Sequence, residues 1–113
     1  MKLLRLALIL LAVAATAGNY NSASVTCPGS GNRQISSTSL RATWAIIMAP
    51  SANTGKVYFG GSTVAVSTTA GFYLSAGDSY NFPPHGGAAV YDLSQVYFAC
   101  AQSGDALVYN YLQ

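Results

Sequence analysis

Hydrophobic and polar residues alternate with a period of two in short bursts along most of this chain. In residues 56–59, Val57 and Phe59 fall on one side and Lys56 and Tyr58 on the other, while in 63–66 Val64 and Val66 oppose Thr63 and Ala65. That period belongs to half-buried strands. Three apolar runs, 57–59, 64–66 and 72–74, are divided by Gly60-Gly61-Ser62, by residues 67–71 and by Ala76-Gly77-Asp78. Such spacing predicts consecutive antiparallel strands joined by turns.

The same pattern extends to both sides of this stretch. Residues 25–27 predict a short strand with Val25 and Cys27 on one side, ended by a Pro28–Asn32 loop, and 33–39 an edge strand with Ile35 as its large apolar residue. Residues 40–48 are the most apolar after the N-terminus, with Trp44, Ile46 and Met48 on one face and Ala45 and Ile47 on the other. They predict a central strand buried on both sides and stopped by Pro50, with a short helix as the alternative. Further on, 80–82 form a strand end before Pro83-Pro84, and 88–93 a short strand or turn. Residues 95–101 put Val96, Phe98 and Cys100 opposite Gln95, Tyr97 and Ala99; after Ser103-Gly104-Asp105, residues 106–112 return as a last strand. That closing pair reads as a β-hairpin. Seven to nine short strands at this spacing predict an all-β chain: a single antiparallel β-sandwich or jelly-roll-like domain over residues 18–113.

The first 17 residues follow a different rule. Lys2 and Arg5 precede an apolar run, 6–15, and Ala15-Thr16-Ala17 closes it with small residues. This is the layout of a secretory signal peptide, with cleavage expected after Ala17. The alternative is a retained apolar N-terminal helix that packs on a partner or a membrane. A bilayer span needs about 20 apolar residues, more than this segment offers. Membrane contact is therefore expected only if residues 1–17 are retained.

Charge removes several classes of function. Charged residues make up 7% of the chain, against about 25% in soluble proteins generally. The formal net charge of +2 includes Lys2 and Arg5; the remainder sets Arg33, Arg41 and Lys56 against Asp78, Asp92 and Asp105. With no basic patch left, nucleic acid is not an expected partner. A surface covered by hydroxyls, amides and phenols instead suits proteins that pack against neighbours.

Candidate chemistry is sparse. Cys27 and Cys100 lie on inward sides of their strands and, in an exported protein, read as a disulfide; two buried thiols are the alternative. Two cysteines and one distant His85 lack metal-ligand spacing, so no metal or other cofactor is expected. His85, in a Pro-Pro-His-Gly-Gly loop, is not held as a catalytic base needs to be, and no Gly-x-Ser-x-Gly elbow occurs. Asp78 and Asp105 follow glycines and read as turn formers. No catalytic residues are assigned and the protein is expected not to be an enzyme. Tyr58, Tyr73 and Tyr97 sit opposite the predicted core and are the candidate interface residues, for a protein partner or a sugar, with cross-strand pairing in a solvated sheet as the other reading.

The segments Asn-Thr-Gly-Lys-Val-Tyr-Phe-Gly-Gly at 53–61 and Gly-Phe-Tyr-Leu-Ser-Ala-Gly-Asp-Ser at 71–79 resemble small β-sandwich, jelly-roll-like proteins found among phage virion components. With the closing strands included, the resemblance covers residues 53–112. It implies a virion structural role, as capsid decoration, minor capsid or spike and fibre component. Partners would be further copies in a homo-oligomer, or other virion proteins. The alternative is a secreted, extracellular β-sandwich that binds carbohydrate or a cell-surface partner.

Overall fold

The computed structural model describes residues 20–66, 72–83 and 91–113; the N-terminal segment 1–17 and His85 lie outside them. Ten strands follow in order: β1 (Tyr20–Thr26), β2 (Asn32–Gln34), β3 (Arg41–Ala42), β4 (Trp44–Met48), β5 (Val57–Gly60), β6 (Phe72–Leu74), β7 (Ser79–Phe82), β8 (Tyr91–Asp92), β9 (Tyr97–Cys100) and β10 (Ala106–Leu112). One 3-10 turn, Leu93–Gln95, precedes β9. The chain is thus all-β and antiparallel, as its period-two pattern predicts.

The strands form two four-stranded sheets, ordered β1-β10-β4-β7 and β2-β9-β5-β6, with β3 and β8 as a small separate pair. Period-two alternation sorts side chains into a shared core between the sheets. The first sheet contributes Ala45, Ile47, Leu107 and Tyr109, the second Val57, Phe59, Leu74 and Phe98. Ile47, Val57, Phe98 and Leu107 are wholly buried. Burial, with Tyr111 stacked alongside, pushes the Tyr109 phenol above its ordinary pKa. Cys27, just past β1, is disulfide-bonded to Cys100 of β9, with Cα atoms 5.8 Å apart. The bridge therefore ties one sheet to the other.

Two sequence expectations are corrected. β9 and β10 are not a hairpin: β9 pairs with β2 and β5, and β10 with β1 and β4. The turn between them crosses from one sheet to the other, and the cause is Asp105. Its carboxylate accepts from the backbone N–H groups of Thr54 and Gly55, and its carbonyl accepts from Cys27 N–H. Asn53 adds a two-way amide pair with the backbone of Ala106. Gly104, at φ 88°, supplies the left-handed residue that aims Asp105 at this corner. Gly55 lies close to the turn for a different reason: a Cβ there would come within 2.8 Å of Gln102 Cγ, so that side chain would have to shift to admit one.

Residues 64–66 are also not a strand. After β5 the chain turns at 61–63, and Asn32 Nδ2 of β2 donates to the carbonyls of Ser62 and Val64, 2.9 Å each. This pins the loop on the outer face of the second sheet. Val64 is buried there without joining the inter-sheet core.

Candidate functional site

The strand registers fix what each sheet shows on its outer side. Across the first sheet one row reads Tyr20, Leu112, Trp44; the next Ser22, Asn110, Ile46, Asn81; the next Ser24, Val108, Met48, Ser79. Trp44, Ile46 and Met48 therefore share a face, as their spacing predicts, but that face is not core. β4 is central, between β10 and β7, yet only its Ala45 and Ile47 side is buried; Met48 is 41% exposed. The structure corrects the expectation of a strand covered on both sides.

This outer face has a definite chemistry. Tyr20, 62% exposed, stacks on Trp44 with ring centroids 5.7 Å apart. Trp44 Nε1 donates to Asn81 Oδ1 at 2.7 Å, which fixes the indole on its sheet. Leu112 lies between the two rings in their row, and Ile46, then Val108 and Met48, follow along the same face among serines and asparagines. No outward side chain of these four strands carries a charge.

The three tyrosines singled out above share the outer face of the second sheet. The register row Asn32, Ala99, Tyr58, Tyr73 carries two of them, and Tyr97 stands in the next row between Gln34 and Gly60. Their exposures differ widely. Tyr73 is half exposed, with Lys56 Nζ 4.3 Å from its ring centroid. Tyr97 is half-buried. Tyr58 is 7% exposed, beside the loop that Asn32 holds over this face. As the chain stands, Tyr73 offers the most contact area of the three.

A third aromatic group joins the two four-stranded sheets at one side. Phe59, Phe72, Tyr80, Phe82 and Tyr91 form a chain of rings with centroids 5.1–5.7 Å apart between successive members by way of Phe59 and Tyr80. Phe72 and Tyr80 come from the last strands of the two sheets and remain partly exposed.

The carboxylates are all engaged in holding backbone. Asp92 accepts from Ser94 Oγ at 2.7 Å, from the N–H groups of Ser94 and Leu40, and from Ser39 Oγ. Those bonds, the Ser94 hydroxyl first, hold its pKa far below the usual carboxylate range. Asp105 is lowered in the same way by the Thr54 and Gly55 amides. Asp78 accepts from Ser75 N–H within its own turn. Among the described residues no cluster of His, Cys, Asp and Glu could hold a metal ion. No helix among them is long and apolar enough to cross a membrane.

No protein-family model, curated protein or solved structure matches the chain. Its outer faces therefore have to be read from their own chemistry. Sequence reasoning placed the three tyrosines on one face but missed the Trp44 and Tyr20 pair. The signal was present in the alternation of 44–48, but that pattern cannot distinguish a face covered by a second layer from one left open.

Proposed function

We propose that the protein is a non-enzymatic structural component of a virion that acts by packing against copies of itself and other virion proteins. The observation that carries this reading is the uncharged outer face built on Trp44, Tyr20, Ile46, Met48, Val108 and Leu112. The winding supports it: successive strands pass between the two sheets in the order of a jelly roll, an architecture used by viral capsid and lectin domains. The likeness of residues 53–61 and 71–79 to phage virion proteins points the same way. Location in a virion follows from this reading.

Size sets the mode of action. Four strands about 4.8 Å apart and 4–7 residues long cover about 400 Å², half of the ~800 Å² each partner gives to a stable interface. Such a face suits contacts that gain strength from many copies. The test is to isolate particles from the source of the protein and quantify it by mass spectrometry. Many copies per particle are expected, and Ile46→Asp should abolish incorporation while leaving the thermal midpoint of the free protein unchanged. Absence from every particle would overturn the proposal.

A second reading is favoured by one observation. A stacked, partly exposed Tyr20 and Trp44 with Asn81 and Asn110 beside them is also what a sugar-binding surface needs: ring faces for C–H groups and amides for hydroxyls. An exported carbohydrate-binding domain would give saturable binding on a glycan array that Trp44→Ala removes.

A further inference from the structure

Sheets that must stay apart protect their edges by shortness, charge, proline or bulges. Three of the four edges in this sandwich are protected in these ways. β2 has three residues including Arg33, β6 has three, and β7 has four and runs into Pro83. β1 has no such device. It is an edge of seven residues, without charge, proline or glycine, and its register against β10 runs unbroken from Tyr20 to Thr26.

The direction of its free groups can be derived. Cys27 N–H donates to Asp105 O at 2.8 Å, one residue beyond the pair of Thr26 with Ala106 and in the same register. Hydrogen-bonded and non-bonded pairs alternate along an antiparallel ladder. The odd-numbered residues of β1 therefore bond to β10, and the N–H and C=O groups of Tyr20, Ser22, Ser24 and Thr26 point away from the sheet. Among the described residues one group meets them, Arg33 Nη1 on the Thr26 carbonyl at 3.3 Å.

We propose that β1 is a docking edge for the β1 strand of a second copy of this chain, paired antiparallel about a two-fold axis at Ala23. The occupant follows from self-complementarity. Only registers that set even residues against even ones bring outward groups of both strands together. The register centred on Ala23 sets every outward residue against another, Ser22 opposite Ser24 and Tyr20 opposite Thr26, with the exposed Arg33 side chain giving up the Thr26 carbonyl. It sets no charge against a like charge, and it keeps the outer face outer, because paired residues share a face. Two four-stranded sheets become one of eight strands. The uncharged face described above becomes continuous across the axis and doubles to about 800 Å², the share of one partner in a standard interface. The proposal takes its occupant from the reading of the protein as an assembly component, but not its geometry.

The experiment uses the purified chain in sedimentation velocity across a wide concentration range, with hydrogen exchange read at Ser22 and Ser24. A monomer–dimer equilibrium is expected, with the amides of Ser22 and Ser24 slowed at least tenfold at concentrations where the dimer prevails. Ser24→Pro removes an outward N–H and leaves the β10 ladder intact, so it should give a monomer with an unchanged far-UV spectrum. Ser22→Lys is the second variant, in case proline disturbs the strand, and should weaken the dimer at least tenfold. A monomer at every concentration, a dimer indifferent to both variants, or exchange at Ser22 and Ser24 independent of concentration would each overturn the proposal. A dimer of this kind in a protein absent from particles would sink the virion reading alone; particles that incorporate Ser24→Pro normally, with no dimer in solution, would sink this one alone.

Discussion

Removing the bridge between the sheets should cost this domain a third or more of its stability. Cys27 and Cys100 are 73 residues apart in sequence, and the chain-entropy relation assigns a cross-link of that span about 4 kcal/mol at 25 °C. Both side chains pack at the inter-sheet core, so replacing them by alanine also leaves two sulfur-sized voids, about 1 kcal/mol together. The double variant Cys27→Ala, Cys100→Ala should therefore lose about 5 kcal/mol from the 5–15 kcal/mol typical of a domain. Urea unfolding followed by Trp44 fluorescence, with the parent protein measured oxidised and reduced, separates the two terms. Reduction alone keeps the sulfurs and should remove only the 4 kcal/mol part. The slope with denaturant should rise in both cases, because the unlinked chain exposes more surface when unfolded. A loss below about 1 kcal/mol on reduction would refute the assumption that the bridge acts by restricting the unfolded chain.

Three further outcomes are expected. Asp92 and Asp105 have lowered native pKa values, so their contribution to stability is complete above the ordinary value of 3.8 and falls as pH drops below it toward the native values. Thermal midpoints should therefore decline between about pH 4 and pH 2, less steeply in Asp105→Asn; a flat profile would contradict the assignment. Asn32→Ala releases the carbonyls of Ser62 and Val64 and should cost about 1–2 kcal/mol, with faster hydrogen exchange in residues 61–66 and faster iodination of Tyr58; unchanged protection would show that the loop is held by other contacts. Leu107→Ala, at a wholly buried site, should cost about 2–5 kcal/mol in chemical denaturation, and a value under about 1 kcal/mol would mean that the core collapses around it.

Faces were more legible in the sequence than partners. Alternation told which side of 57–59 and 95–101 meets the core, because it follows from backbone pleating alone. It could not tell which strand lies alongside. Ser103-Gly104-Asp105 has the residues of a tight hairpin turn, yet the Asp105 carboxylate is bound by Thr54 and Gly55, some 50 residues away in sequence. Nothing local announces such a contact. Val64 failed for a related reason: its apolar side chain is buried, as expected, but under a loop pinned by Asn32 rather than in a strand. For the candidate site, the tyrosine face was readable and its closure over Tyr58 was not.

The place of β10 between β1 and β4 also bears on how the protein is made. The first sheet has no continuous centre until residues 106–112 have been synthesised, because among the described strands of the chain β1 pairs with β10 alone. Among the described residues, β5 and β6 are the one pair of sequence-adjacent strands that bond to each other; the others pair over long stretches of chain. Long-range pairing delays folding, since the entropy of closing each loop is lost before the contacts form. Pairing in the first sheet is therefore completed only once residues 106–112 are free to join β1 and β4. Until β10 arrives, the apolar strand β4 is a hazard that a chaperone or dilution has to manage.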